Sequence, residues 1–178
     1  MSEEKYIWKE SPVMLGLFCV VVGALVYSAF GSLVEMERRW GSQDEYGYAY
    51  FIPVIVGFFI WQRKERLQLT EFNYSWGGLV LLFCGLFITV LGVVSSTYSI
   101  AQYGFVVSFI GSVYLFTGYK AFKIILPPLL LLFLIVPLPA FFYNNLSSAL
   151  QLISSKIGVW VIRLFDISVH LEGNVIDL

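Results

Sequence analysis

Few side chains in this sequence are of types that carry out chemistry, and its single histidine is the first of them. His170 lies where apolar and polar residues alternate, and it shares one face of that stretch with Ser168 and Glu172. An imidazole there could act as a general base, but a base needs a nucleophile to activate, and the sequence places none beside it. A plain outward-facing strand histidine is the better interpretation.

The two thiols, Cys19 and Cys84, each lie inside a long apolar run. That setting favours neither a disulfide nor a reactive thiolate. Paired carboxylates at catalytic spacing, clustered metal ligands and a glycine-rich phosphate loop are also missing from the sequence. We therefore assign no catalytic, cofactor-binding or metal-binding residue. The acidic loop from Glu35 to Asp44 predicts a solvated connection, or else a surface that attracts a basic substrate segment.

The elements that position these residues are membrane helices. Hydrophobic residues make up 58% of the 178 positions, charged residues 13%, and the mean hydropathy is +0.80. A soluble domain carries about 25% charged residues. The apolar residues form long runs, which indicates that lipid is the solvent. The formal net charge of −1 indicates no nucleic-acid partner.

Five apolar runs predict five transmembrane helices, over about 12–34, 48–61, 76–94, 98–117 and 124–142. The second run is short, because its 14 residues reach about 21 Å as a helix and a bilayer core is roughly 30 Å thick. We predict an all-α membrane protein, a multi-pass transmembrane helical bundle that forms a single membrane domain over residues 1–178.

Beyond the fifth run, the pattern predicts an amphipathic helix over about 144–165. Its apolar residues recur at steps of four and three, namely Leu146, Leu150, Ile153, Ile157, Trp160 and Leu164. This helix either lies in the outer membrane interface, which we favour, or crosses inside the bundle with its polar side hidden. Residues 167–178 alternate around Gly173–Asn174, which predicts a short outward-facing β-hairpin at the C-terminus.

The distribution of lysine and arginine predicts the orientation. With the N-terminus in the cytoplasm, the cytoplasmic segments hold seven basic residues: Lys5, Lys9, Arg63, Lys64, Arg66, Lys120 and Lys123. The opposite loops hold only Arg38 and Arg39, among acidic residues. Cytoplasmic loops of membrane proteins are enriched in basic residues. We therefore predict a multi-pass protein of the cell inner (plasma) membrane with a cytoplasmic N-terminus.

Glycines recur every seven residues on the third and fourth runs, at Gly78, Gly85 and Gly92 and then at Gly104, Gly111 and Gly118. Seven residues are close to two helical turns, so each set lines one stripe. Stripes of small residues let membrane helices approach closely, so we interpret them as packing seams. Gly16 and Gly23 repeat the spacing on the first run. A serine-rich turn joins runs three and four and predicts an antiparallel hairpin.

Prolines mark the fifth run. Pro127 and Pro128 fall in its predicted first turn, where proline is tolerated. The segment Val136–Pro139 holds two more prolines, and it breaks the helix because proline lacks the backbone N–H. Irregular backbone at membrane depth occurs where it is buried in protein or lines a wet cavity. The break is therefore either a notch open to the outside or a simple helix end.

Landmarks of the sequence resemble, in order, those of the exosortase and archaeosortase family. Tyr46–Pro53, ending at Trp61–Lys64, resembles the family's tyrosine-led motif and arginine-capped second helix. Val136–Pro139, Leu150–Gln151 and Gly173–Ile176 resemble the next three landmarks. One departure is visible, since the family often has histidine where Tyr48 stands, and any role of that histidine is in doubt here.

The resemblance implies a membrane-embedded sorting enzyme that acts as a cysteine transpeptidase or protease. Its partners would be membrane lipids and protein substrates with a C-terminal sorting signal, which consists of a short motif, a transmembrane helix and a basic cluster. The family's nucleophile lies in an alanine–x–x–cysteine–serine–glycine motif after the stretch that matches Gly173–Ile176. Neither Cys19 nor Cys84 matches it. We expect this chain to be an amino-terminal portion of such an enzyme, inactive on its own.

Two other functions stay open at this point. The chain could be a non-catalytic membrane scaffold or accessory subunit that binds other helices through its glycine seams. A small transporter is less well supported, because the apolar runs contain no acidic or basic residue of the kind that ion pathways need.

Overall fold

The structure is a computed structural model that describes residues 12–70, 72–164, 170–172 and 175–177. We predicted one membrane domain, and the chain divides into two compact units, Met1–Pro137 and Leu138–Leu178. The first unit holds six helices and two 3-10 segments among its described residues. The second holds one helix and two short strands among its described residues.

The first predicted span, 12–34, is wrong as a single helix. Helix α1 covers Pro12–Ser28, helix α2 covers Phe30–Ser42, and the two are bent by 74° at Ala29. All of α1 is apolar or small, whereas α2 is amphipathic and carries two glutamates and two arginines. Charged side chains are costly in hydrocarbon, which favours a turn away from the direction of α1 where they begin.

The second predicted span, 48–61, also differs from the structure. A 3-10 segment covers Asp44–Tyr50, helix α3 covers only Ile52–Gln62, and helix α4 covers Lys64–Gln68. Pro53 lies in the first turn of α3, where its missing N–H costs nothing, which favours a helix start at this point. The 11 residues of α3 reach about 17 Å, which is too short to cross a bilayer core.

Helix α5, Trp76–Val94, packs against the first part of helix α6, Tyr98–Leu130, as an antiparallel pair. A Cβ added at any of five glycines would overlap the facing helix. The pairs are Gly78 with Leu115, Gly85 with Ser108, Gly92 with Ala101, Gly104 with Thr89 and Gly111 with Leu82. The predicted hairpin and its packing seam are therefore confirmed. Gly16 and Gly23 of α1 meet nothing within 4 Å among the described residues, so the seam predicted there is wrong within this chain.

Helix α6 reverses direction at Gly118, whose φ of 74° is disfavoured for residues with a side chain. The rings of Tyr103 and Phe133 stack with centroids 6.4 Å apart, which a straight helix would forbid for residues 30 positions apart. We therefore describe a first arm (98–117) and a second arm (119–130) that fold back on each other. The second arm continues as a 3-10 segment, Leu131–Ile135.

Two helical runs are long and apolar enough to cross a membrane among the described residues: α5, and the run Tyr98–Ile135. The bent pair of α1 and α2 would add a third if it is counted as one span. Five separate spans were predicted. The difference arises because α3 is short and because the two arms of α6, which reverse at Gly118, are counted together as one run.

Pro127 and Pro128 lie inside the second arm, not in its first turn as predicted, because this arm begins directly after Gly118. Each removes one backbone donor from the helix. The 3-10 segment follows directly, and Val136 is then extended, so the predicted helix break at Val136–Pro139 is confirmed.

The core of the first unit lies between the two arms of α6 and the helices α2 and α3. Val106 and Ile110 of the first arm and Ile125 and Leu129 of the second are buried there. Helices α2 and α3 contribute further buried side chains near the 3-10 segment Leu131–Ile135, namely Met36, Ile52 and Val56. This packing fixes α2 and α3 against the two arms of α6.

Exposed aromatic side chains mark both ends of the bundle. At the end that holds the turn between α5 and α6, which we call the Ser96 end, they are Tyr27, Phe51 and Tyr98. At the opposite end, the Gly118 end, they are Trp61, Tyr74, Trp76 and Tyr119. Such belts are typical of the two membrane–water interfaces. Our charge-based prediction places the Ser96 end outside the cell.

In the second unit, helix α7 covers Ala140–Arg163 and begins four residues before the predicted start at 144. Its predicted apolar stripe, from Leu146 to Leu164, is exposed. Strands β1, His170–Glu172, and β2, Val175–Asp177, pair antiparallel, with His170 opposite Asp177. The predicted turn at Gly173–Asn174 lies outside the described residues, and the outward-facing placement stays a prediction.

Candidate functional site

Helix α2 lies between the first arm of α6 and the end of the 3-10 segment Leu131–Ile135. A side-chain hydrogen bond holds α2 to each of them. Gln102 Nε2 donates to the Ser32 carbonyl at 2.7 Å. Trp40 Nε1 donates to the Ile135 carbonyl at 2.9 Å. Both bonds join residues far apart in the chain, so they fix α2 across the Ser96 end of the bundle.

The bond from Trp40 compensates for the proline break. The 3-10 segment ends at Ile135 because Val136 is extended and the break with Pro137 and Pro139 follows, so no helical N–H lies ahead of the Ile135 carbonyl. The indole N–H supplies the missing donor, and a buried carbonyl without a partner would be costly. The Trp40 ring also meets the ring of Tyr50 edge to face, with centroids 5.2 Å apart.

The tyrosines of the other 3-10 segment, Asp44–Tyr50, lie near Trp40. The rings of Tyr46 and Tyr48 lie 6.5 Å apart, and both hydroxyls are within electrostatic range of Tyr103 on the first arm. Tyr48 and Tyr50 are about half exposed. Together, Trp40, Tyr46, Tyr48, Tyr50 and Tyr103 form what we call the tyrosine cluster, which presents hydroxyl groups and ring faces at the Ser96 end.

Tyr50 donates to Glu37 Oε1 across 3.4 Å. Partial removal from water, and then the nearby Glu37 carboxylate, raise the pKa of Tyr50 above the ordinary value of 10.0. Tyr50 lies outside the membrane-crossing runs and stays protonated at neutral pH. Its one O–H is used in the bond to Glu37, and its oxygen can still accept a hydrogen bond.

The charged residues of α2 partly neutralise one another. Glu35 pairs with Arg39 at 3.4 Å and with Arg38 at 3.9 Å. Exposed pairs of this kind contribute at most about 1 kcal/mol. Glu37, Asp44 and Glu45 add further negative charge, so this surface is net acidic. The acidic segment predicted as a solvated loop is thus an ordered helix followed by a 3-10 segment.

A cavity of about 270 Å³ lies at the bend between α1 and α2. Its polar lining comes from Ser28, Ser32, Ser96 and Tyr98. The notch considered at the proline break is not observed in the first unit, because Val136 and Pro137 are buried. Val136 and Pro137 are therefore covered by protein, and the cavity lies at the bend between α1 and α2.

Gln102 forms part of the support beneath this bend. Its side chain is fully buried, and its Oε1 has no hydrogen-bond partner among the described residues. Buried amides are normally satisfied on both sides, so this one is unusual. Its bond to Ser32 fixes the first turn of α2 against α6.

The side chains that first suggested chemistry lie elsewhere. Cys19 and Cys84 are free and exposed near the middle of α1 and of α5. His170 is in β1 of the second unit. No group of three histidine, cysteine, aspartate or glutamate side chains that could hold a metal ion occurs in the described part of the chain.

Sequence reasoning missed Trp40, Gln102 and Tyr103 as members of the site. Gln102 carried a usable signal, because a lone amide within an apolar run needs a partner. The sequence around Trp40 gives no such signal, because the role of Trp40 depends on the proline break, which ends 99 positions away at Pro139.

The comparison with family models gives one match. The family described as Transmembrane exosortase matches residues 40–178, more than three quarters of the chain. The match starts at Trp40 and includes the 3-10 tyrosines and the proline break. No curated protein and no solved structure matches the chain.

Proposed function

The chain belongs to the transmembrane exosortase family, and on that basis we propose that it is the membrane part of an enzyme that processes protein substrates with a C-terminal sorting signal. Such a substrate spans the membrane by its own C-terminal helix, so its cleavage motif lies at the membrane surface. The proposal concerns where this chain receives that motif.

The fixed position of the tyrosine cluster supports the proposal. The bond between Trp40 and Ile135 joins two landmarks of the resemblance, the tyrosine-led motif and the proline break, at one end of the bundle. The half-exposed rings of Tyr48 and Tyr50 lie beside that bond. Phenol groups combine ring faces with hydrogen-bonding hydroxyls, which suits them to hold an extended peptide.

We propose that this chain contributes the docking of the protein substrate to the reaction. In the transpeptidase mechanism that the resemblance implies, a thiolate attacks the scissile carbonyl and an arginine stabilises the charge on oxygen. Cys19 and Cys84 are poor candidates, because an ionised thiolate at the middle of an apolar helix lacks solvation. We propose that the tyrosine cluster holds the substrate, and we assign the nucleophile to neither of these cysteines.

The scaffold alternative loses its main support in the structure. The glycine stripes of α5 and α6, which could have bound helices of other proteins, face each other within the chain. Only the stripe of α1, with Gly16 and Gly23, is open among the described residues.

Site-specific photo-crosslinking tests the docking proposal. A benzophenone amino acid replaces Tyr48, and the chain is expressed together with a substrate that carries a short motif, a transmembrane helix and a basic cluster. We expect a covalent adduct on irradiation, because Tyr48 is half exposed at the proposed docking surface. The adduct should weaken when the short motif is deleted and the transmembrane helix is kept.

The matched control carries the same probe at Phe83, which is exposed on α5 at mid-membrane. That position should give no motif-dependent adduct. Equal adducts at both positions, or an adduct at Tyr48 that is indifferent to the motif, would overturn the proposal.

A further inference from the structure

Five basic side chains gather at the Gly118 end of the bundle, although they come from separate segments of the chain. Arg63 directly follows α3, Lys64 and Arg66 lie in α4, and Lys120 and Lys123 lie at the start of the second arm of α6. We call these five residues the basic surface. All except Arg63 are exposed, and Arg63 is partly exposed.

The packing of three segments brings the basic surface together. Helix α4 packs against α6, and α3 packs against both α6 and the 3-10 segment Leu131–Ile135. The linker before α5 is tied to the first arm, because the Ser75 N–H donates to the Leu115 carbonyl at 3.2 Å. Asn73 lies directly against Gly118. The reversal of α6 therefore places Lys120 and Lys123 at the same end as α4.

Two of the basic side chains lie against rings of α3. The Arg63 guanidinium lies 5.9 Å from the ring centroid of Phe59 and donates to the Phe59 carbonyl at 3.0 Å. The Lys64 ammonium lies 4.9 Å from the ring centroid of Trp61. Long basic side chains that cover apolar surface in this way keep their charges at the level of the lipid headgroups.

Exposed aromatic residues surround the basic surface. Trp61, Tyr74, Trp76 and Tyr119 all have more than half of their surface exposed at this end. Tryptophan and tyrosine are enriched at the headgroup level of membranes. The charges of the basic surface therefore lie where lipid phosphates lie.

We propose that the basic surface binds anionic phospholipid headgroups of the phosphatidylglycerol class. Glu65 is the one acidic residue among the described residues of α4 and the start of the second arm, so the surface is strongly cationic. At the Ser96 end, the described residues of α2 and of the segment Asp44–Tyr50 are net acidic and form no comparable basic surface. Juxtamembrane clusters of this size attract anionic lipid, and each basic residue changes binding about fivefold. The proposal is independent of the docking site for protein substrates.

Native mass spectrometry of the full chain in detergent tests this inference. The protein is supplied with equal amounts of phosphatidylglycerol and phosphatidylcholine, and the two kinds of bound lipid are counted. We expect phosphatidylglycerol to be preferred. The pair K120Q/K123Q should lower the preference about tenfold or more, and K64Q/R66Q should lower it similarly.

The control R38Q/K156Q removes two exposed basic residues from other parts of the chain and should leave the preference unchanged. Size-exclusion profiles identical to the parent protein establish that each variant is folded. Inorganic phosphate in excess should displace no lipid, because the headgroup binds together with its acyl chains. A retained preference in both paired variants, an equal loss in the control, or displacement by phosphate alone would contradict the inference.

Discussion

The indole of Trp40 donates a hydrogen bond to the Ile135 carbonyl across 2.9 Å, at the position where the proline break leaves that carbonyl without a helical partner. A side chain of α2 thus completes the end of a helical segment nearly one hundred residues further along the chain. The bond joins the tyrosine cluster to the proline break. It explains why these two parts of the sequence meet at one end of the bundle.

Replacing Trp40 by Phe removes this donor and keeps an aromatic ring beside Tyr50. We expect the free energy of unfolding to fall by about 1–3 kcal/mol, because the Ile135 carbonyl is left buried without its partner. Thermal unfolding in detergent, followed by size-exclusion chromatography, measures the change. The matched variant Trp76→Phe alters a ring that is 83% exposed and should be neutral. Equal stability of the two variants would show that the bond contributes nothing.

Three substitutions of Gln102 are expected to lower the free energy of unfolding by different amounts. Gln102→Leu removes the donor to Ser32 together with the unpaired Oε1, and Ser32 keeps its helical bond, so we expect a loss below about 1 kcal/mol. Gln102→Ala also creates a cavity and should cost about 2–3 kcal/mol. Gln102→Glu buries a carboxyl group against a carbonyl and should be the worst of the three.

The same thermal assay ranks these variants. The order leucine, alanine, glutamate from mildest to most severe is the expected result. A leucine variant as unstable as the glutamate variant would mean that the Gln102 amide has an essential partner in the folded protein.

Replacing glycine by alanine is expected to affect stability differently inside the glycine seam of α5 and α6 and outside it, on α1. Gly85→Ala places a methyl group into the backbone of Ser108, so α5 and α6 must separate, at a cost of about 1–3 kcal/mol. Gly16→Ala meets nothing within 4 Å among the described residues, and alanine is the better helix former, so it should be neutral or slightly stabilising. Detergent unfolding of both variants provides the comparison. A destabilised Gly16→Ala variant would reveal packing on α1 that the first unit does not supply.

The hairpin of α5 and α6 was predictable because glycine spacing is a local, periodic signal that survives in the sequence. The bend at Ala29 was not, since neither proline nor glycine occupies that position and the turn depends on where the charges of α2 meet the membrane surface. The exact position of the reversal in α6 was also hidden, because Gly118 looked like one more member of a glycine stripe. Long-range bonds such as Gln102 to Ser32 leave no periodic trace at all.

Cysteine labelling tests the orientation, which so far rests on charge alone. In a background of Cys19→Ser and Cys84→Ser, single cysteines replace Ser96 at one end of the bundle and Lys120 at the other. We expect a membrane-impermeant maleimide to label the Ser96 position in intact cells and the Lys120 position only after permeabilisation, because the basic residues favour the cytoplasmic side. Cysteine in place of Phe83, at mid-membrane, should resist labelling in both conditions. Labelling of the Lys120 position in intact cells would place the tyrosine cluster inside the cell, where it could not receive an exported substrate.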